Sequence, residues 1–483
     1  MLISLYTSRV ILNALGVEDF GIYNVVGGVV SMFSLISASL TASISRFITY
    51  ELGTGLKENL NKVFSSSVTI QIGLSIILLI LAETIGLWFV NYKLVIPEAR
   101  MNAANWCYQL SVFSFIIGLI SIPYNAVIIA HEKMSAFAYI SILEAVGKLT
   151  VAWLLLVNPI DRLIFYAILI VLIAFAVRLM YTWYCKKHFD ECAYRFVYDK
   201  SLFKKMFGFA GWNFFGAGSW ILMTQGVNIL MNLYFGVAIN AARGIAVQVD
   251  SAVQKFVSSF TTAIEPQITK SYAVGLHDEM FSLMCRGAKF SFFLMLIMAA
   301  PILCETGQIL TLWIKIYPDY TVSFVRLAIV VSMIHLLSST MVTGILATGD
   351  IKKYQIIIGN LGMLVLPLSW VTFHYGFSPN MAYVVNIIIF VIQLLYRLKL
   401  LKEKINFNSL YFVKEVLIRV FVVSILSLFL PILICSEIDE TISRLILVIS
   451  TCIITTLLSI LYVGLSQNER SFVFAQIKKR LIR

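Results

Sequence analysis

Charged side chains are scarce in this sequence. They make up 13% of its 483 residues, against about 25% in a soluble globular chain. Hydrophobic residues reach 60% and mean hydropathy is +0.89. A surface this poor in charge would not stay wetted, so a water-soluble globular protein is excluded. No polar stretch is long enough to fold as a separate domain; the longest are 185–206 and 264–286. Enzymes that build or polymerise glycans in membranes usually need a sizeable soluble domain or catalytic loop, so an enzyme is disfavoured. No GxxxxGK[ST] loop occurs, which removes that route to ATP hydrolysis. The 5 His and 7 Cys are scattered. Cys185, His188 and Cys192 share one loop, but three ligands at that spacing match no common zinc motif. They read as thiols in a reducing compartment. No metal, cofactor or nucleic-acid partner is expected.

What is abundant is apolar sequence in runs of membrane length. A helix needs about 20 apolar residues to cross a hydrocarbon core of roughly 30 Å. Fourteen spans are expected, near 1–15, 21–45, 65–90, 105–130, 134–157, 163–184, 207–234, 238–263, 287–313, 323–347, 355–374, 380–398, 415–435 and 442–465. Barrel strands would alternate apolar and polar residues. Ile76-Ile77-Leu78-Leu79-Ile80-Leu81 does not, so the fold class is an all-α polytopic membrane protein.

The net charge of +12 has a sidedness. With the N-terminus inside, Lys186, Lys187, Arg195, Lys200, Lys204, Lys205, Lys352, Lys353, Lys478, Lys479 and Arg480 are cytoplasmic. The opposite loops hold Lys93, Arg100, Arg162, Lys315 and Arg444. This is the positive-inside asymmetry, and the charge faces anionic lipid. It places both termini and Cys192 in the cytoplasm, with 314–322 and 436–441 outside.

The chain also repeats itself. At an offset of 220 residues, Gly16-Val17 falls on Gly236-Val237, Ser31 on Ser251, Thr41 on Thr261 and Ile48-Thr49 on Ile268-Thr269. Gly55-Leu56-Lys57-Glu58 falls on Gly275-Leu276-His277-Asp278. The unit contains six spans, an even number, so both halves enter the membrane in the same direction. Transporters built from such parallel repeats hold substrate where the halves meet. The expected organisation is an N-terminal lobe over 1–204, a C-terminal lobe over 205–404, and two further helices with a basic tail over 405–483. Residue 1 aligns with Ile221, halfway down the seventh span. Translation is therefore expected to begin upstream, adding about ten to fifteen residues to a short first helix.

The eighth span carries the strongest site signal. At 100° per residue, Asn240, Arg243, Asp250, Ser251, Gln254, Lys255, Ser258, Thr261 and Glu265 fall on one side, and Ile245, Val249, Val253, Phe256, Phe260 and Ile264 on the other. An ionisable residue at mid-span costs roughly 2.5–3.5 kcal/mol on insertion scales, so this stripe needs water or partners. The repeat mate, span two, has Tyr23, Asn24, Ser31, Ser34, Ser39, Thr41, Ser45 and Arg46. Span one offers Tyr6, Arg9 and Asn13, and span seven offers Thr224, Gln225, Asn228 and Asn232. These four spans are expected to line a central cavity. Its charges lean positive: Arg9, Arg46, Arg243 and Lys255 against Asp250. The planar fork of Arg suits a phosphate, so Arg9, Arg46, Arg243, Lys255, Gln254 and Asn228 are the expected substrate contacts. Asp250 and Glu144 are the titratable candidates for coupling to H+ or Na+. Plainer readings stand beside these. Arg243 and Asp250, two turns apart, could neutralise each other, and Arg46 could mark the membrane boundary. Glu144 and Lys148 have ion-pair spacing, and Arg178 and Arg419 could snorkel.

The stretch Leu5-Tyr6-Thr7-Ser8-Arg9-Val10-Ile11-Leu12-Asn13-Ala14-Leu15-Gly16, followed by Asp19-Phe20-Gly21-Ile22-Tyr23-Asn24-Val25-Val26-Gly27-Gly28-Val29-Val30, resembles bacterial polysaccharide flippases. Arg46-Phe47 and Glu51-Leu52-Gly53 continue the match. Those proteins export lipid-linked O-antigen or capsule repeat units and share a superfamily with the multidrug and toxin extrusion (MATE) transporters. The resemblance implies two six-helix lobes with a V-shaped cleft, alternating access and two extra C-terminal helices. It also implies a polyprenyl-diphosphate-linked oligosaccharide as partner, its diphosphate held by Arg9 and Arg46, in the inner membrane. A MATE-type antiporter for cationic drugs is the alternative; it would prefer an acidic cavity.

Overall fold

The computed structural model describes residues 34–471, apart from 93, 95, 156–160 and 198, together with scattered positions between 10 and 30. No strand occurs among the described residues. The helices are α1 Ser34–Thr54, α2 Lys57–Leu81, α3 Met101–Ala130, α4 Met134–Leu154, α5 Arg162–His188, α6 Lys200–Phe235, α7 Val237–Ala273 and α8 His277–Cys304. Then follow α9 Thr306–Ile314, α10 Thr321–Leu336, α11 Ser339–Ala347, α12 Lys352–Met363, α13 Val365–His374, α14 Met381–Ile405, α15 Ser409–Phe412, α16 Arg419–Glu437 and α17 Ile442–Ser459. The chain divides into two compact units, Met1–Ala217 and Gly218–Arg483, and α6 runs through the boundary.

Among the described residues, 10 stretches are long and apolar enough to cross a membrane. Fourteen spans were expected, and the difference has a physical reason. α1, α6 and α7 are absent from the ten, and the first span lies largely outside the described residues. α1, α6 and α7 are the described spans whose sequence is polar.

The repeat has a backbone counterpart. Gly16 and Gly236 take φ of +78° and +80°, and Gly55 and Gly275 take +74° and +78°. Both pairs are 220 apart and occupy equivalent turns. A left-handed turn strongly favours glycine because it has no Cβ to clash. These matches in turn geometry go beyond shared apolarity.

In the first unit, α2 continues to Tyr92 through a π-helical turn at Ala82–Gly86. Such a turn disturbs the regular hydrogen-bond ladder. The fully buried Tyr108 donates its hydroxyl to the Ala82 carbonyl at 2.8 Å. A Cβ on Gly86 would collide with that hydroxyl, so glycine makes the contact possible. At one end of the unit Arg100 bridges Asp19 and Asp161, and Asp161 also caps α5 through the N–H groups of Leu163 and Ile164.

In the second unit, a Met- and Phe-rich core surrounds α8, including Met280, Met284, Phe292, Phe324 and Ile345. α16 and α17 pack on each other and on α8. Arg444 forks onto the Glu305 carboxylate at 2.8 and 2.9 Å, with both side chains buried. The sequence reading counted Arg444 among the outside-loop charges; the structure pairs it with Glu305. Arg419 pairs with Glu415 at 2.9 Å. Arg178 donates to the Ile120 carbonyl at 2.7 Å and stacks over Tyr124 at 4.4 Å.

Candidate functional site: a polar cluster on α7

α7 buries Ile239, Ala242, Ala246, Val253 and Val257 against its own unit. Small residues here let helix backbones approach closely. The opposite arc holds the polar residues, and its members part company. Arg243 leans toward α6, donating Nη2 to the Thr224 carbonyl at 3.0 Å and Nη1 to Met231 Sδ at 3.6 Å. One carboxylate oxygen of Asp250 accepts from Gln254 Nε2 at 2.7 Å, and the same amide nitrogen lies 2.8 Å from Ser332 Oγ on α10. The buried Tyr383 of α14 lies within electrostatic reach of both Arg243 and Asp250. Lys255 and Gln254 are exposed, and Asn228 is half-buried one turn beyond Thr224.

Two readings separate here. Among the described residues no ion pair joins Arg243 to Asp250 or to any other carboxylate. Arg243 therefore enters the membrane with a carbonyl and a thioether as its contacts. On α7 and α14 of the same unit, the other Asp250 oxygen, Asn240 Oδ1, Asn386 Oδ1 and the Tyr383 hydroxyl are buried with no hydrogen-bond partner. Buried polar groups are rarely left unmade because each costs about 1–3 kcal/mol. A guanidinium without a carboxylate partner can bind an oxyanion, and an unpartnered carboxylate or amide oxygen can take water or a small cation. Sequence reasoning missed Ser332 and the Tyr383–Asn386 pair, three residues apart on α14, because the spans that carry them are otherwise strongly apolar. Trp220 is a further miss: its ring lies 5.4 Å from His335 and 6.1 Å from Phe390.

The remaining sequence candidates lie elsewhere. Arg9 falls outside the described residues. Arg46, in the first unit, has its guanidinium 4.7 Å from both the Phe47 and Tyr50 rings and 5.9 Å from Phe209. Glu144 pairs with Lys148 at 2.6 Å, as their spacing suggested. Cys185 and Cys192 are buried, and Asn61 ties the loop down by donating to the Glu191 and Ala193 carbonyls at 2.8 Å each. His188 is exposed and bonds the Tyr184 carbonyl at 2.9 Å. Among the described residues no group of His, Cys, Asp or Glu is arranged to hold a metal ion.

The family model for polysaccharide biosynthesis proteins matches residues 1–272, more than half of the chain. The chain belongs to the polysaccharide biosynthesis protein family. No curated protein matches it by sequence. Its fold is that of the MATE transporters. A MATE protein in a bent conformation superposes with a TM-score of 0.68 at 15% identity, over 82% of this chain and 90% of that one. A ligand complex of the MATE multidrug transporter DinF-BH gives 0.68 at 17%, over 83% and 91%. A MOP superfamily transporter from Pyrococcus furiosus, described by a reversed polarity of its binding pocket, gives 0.67 at 14%, over 82% and 90%. This member of the polysaccharide biosynthesis family is a multi-pass membrane protein, and its cluster on α7 lies in the unit that the family model mostly leaves uncovered.

Proposed function

We propose that this protein moves lipid-linked oligosaccharide units, joined to a polyprenyl diphosphate, across the bacterial inner membrane by alternating access. The observation that carries the reading is Arg243, a guanidinium in a membrane helix with no carboxylate pair among the described residues. A diphosphate supplies the missing negative charge and matches the planar fork. The sugars and diphosphate would pass through the polar path while the polyprenyl tail stays in lipid. Arg9, Arg46, Lys255, Gln254 and Asn228 are proposed as further contacts. Asp250, with one oxygen unpartnered, is proposed to couple transport to H+ or Na+, and Glu144 is the weaker candidate because Lys148 holds it. Family membership and the MATE fold support a transporter. The N- and C-termini are proposed to be cytoplasmic. Cys192 is buried, so a cysteine introduced at the exposed Lys187 is the better reporter of sidedness.

Deletion of the gene should abolish surface polysaccharide and accumulate the lipid-linked unit on the cytoplasmic leaflet, both reversed by the wild-type chain. Normal surface glycan in the deletion strain would overturn the reading. A multidrug antiporter is the second reading, favoured by the unpartnered oxygen of Asp250. Drug resistance that tracks expression, with surface glycan unaffected, would establish it.

A further inference from the structure

A second polar cavity lies apart from the Arg243 cluster, at the membrane end where α8 and α15 begin and where the chain leaves α17. It encloses about 210 Å³ and is lined by Arg286 and Lys289 of α8, Tyr411 and Glu415 at the start of the C-terminal pair, and Asn468 and Glu469 beyond it. At ~30 Å³ per water molecule it has room for about seven waters, which suits a headgroup rather than an oligosaccharide. Its floor is Lys289, 3% exposed, with Nζ 2.7 Å from Glu469 Oε2. Glu469 is fixed in turn by the Ser466 N–H at 2.8 Å. Its mouth is Arg286, 56% exposed, with Nε 3.8 Å from the same carboxylate. A π-helical turn at Val413–Ile418 shapes the facing wall, and such turns often occur at functional sites.

The charges do not balance. The lining Glu415 is already paired with Arg419, which lies outside the lining, at 2.9 Å, so within the cavity the two cations Arg286 and Lys289 share the one remaining carboxylate, Glu469, a surplus of one positive charge. Burial alone would push the Glu469 carboxyl up, but the Lys289 ammonium and the Ser466 N–H hold it below its usual range, so it stays ionised and the surplus persists. A phosphodiester carries the single negative charge that closes this account; inorganic phosphate carries more. The apolar surroundings also favour a lipid. Leu410 and Ile418 are 63% and 52% exposed beside the lining residues, where acyl chains would cover them. The charge asymmetry of the sequence assigns this end to the cytoplasmic leaflet, whose anionic lipids attract basic sites.

We propose that this cavity binds the headgroup of one anionic phospholipid of the phosphatidylglycerol class, with Arg286 and Lys289 on its phosphate, between α8 and the C-terminal helix pair. The inference is independent of what the protein transports. The test is native mass spectrometry of the full-length protein in detergent, titrated with phosphatidylglycerol or phosphatidylcholine, with and without inorganic phosphate. One phosphatidylglycerol should be retained in preference to phosphatidylcholine, and inorganic phosphate should not displace it. Arg286→Gln, at an exposed position that leaves the Lys289–Glu469 pair intact, should weaken retention about tenfold with thermal unfolding unchanged in lipid-free detergent. Equal retention by wild type and variant, or no preference between the two lipids, would overturn the proposal. Displacement by inorganic phosphate would overturn it too, by showing a site for the free ion.

Discussion

Replacing Arg243 separates a binding role from a structural one. The guanidinium touches the Thr224 carbonyl and Met231 Sδ and forms no ion pair among the described residues. Arg243→Ala therefore strands no carboxylate, and the protein should reach the membrane in normal amount. If the fork holds a diphosphate, the lost charge-assisted contacts are worth about 1.5–3 kcal/mol each, and at 1.4 kcal/mol per decade one contact corresponds to a ten- to hundredfold loss of transport. Arg243→Lys should recover part of this, because Lys keeps the charge and loses the bidentate geometry. The assay is surface polysaccharide in a deletion strain, normalised to immunoblotted protein in the membrane fraction. Asp250 supplies the control. Were the two residues a neutralising pair, each single variant would fold poorly and Arg243→Ala/Asp250→Ala would recover, since no charge is left unpaired. The structure leads us to expect no recovery. Surface glycan restored in the double variant would refute the binding role.

Other expectations follow from contacts elsewhere. Gly86→Ala drives a methyl group into the Tyr108 hydroxyl and should cost about 1–3 kcal/mol of stability, read as a lower midpoint in a thermal unfolding scan; adding Tyr108→Phe should restore part of the loss. Arg444→Met breaks the fork onto Glu305 and should destabilise by roughly 1.5–3 kcal/mol, with Glu305→Gln/Arg444→Met recovering stability because neither charge remains. At the Arg100 bridge, burial alone would raise the Asp161 carboxyl, but hydrogen bonds from Arg100 and from the N–H groups of Ile164 and Leu163 bring it below its usual 3.8. A lowered folded-state value means its stabilisation is present above about pH 4 and is lost as pH falls further. Wild type and Asp161→Asn should thus converge in thermal midpoint at acid pH.

Much of the fold was legible in the sequence because two of its constraints are one-dimensional. Hydrocarbon thickness sets the length of an apolar run, and the offset of 220 residues requires no knowledge of packing. Gly55 and Gly275 illustrate the second point: the match in letters became a match in φ. The site was only partly legible. Periodicity on α7 picks out Arg243, Asp250 and Gln254, but a helical wheel treats a broad arc as one face. Arg243 and Lys255 are twelve residues apart, or about 120° at 3.6 residues per turn. That angle is enough to put one against α6 and leave the other exposed. Long-range partners were illegible for a different reason. Tyr383, Ser332 and Asn386 lie in apolar spans, and nothing local distinguishes a polar group that meets another helix, as Ser332 meets Gln254, from one that bonds its own, as the Asn386 amide bonds the Ala382 carbonyl. The Arg444 pair was illegible for the same reason, since its partner Glu305 is far away in the chain.

The spans that fail a hydropathy criterion are therefore informative. α7 is too polar to be recognised as a membrane helix, yet Ala242, Ala246, Val253 and Val257 form part of the core of the second unit. In lipid, helices are held by close packing rather than by escape from water, and a stripe of small and branched residues is sufficient for that. The rest of the circumference is then free to carry groups that lipid would reject. A polar arc on such a helix needs neither a sequence neighbour nor a counter-charge on the same face. It needs an aqueous or ligand-filled space alongside.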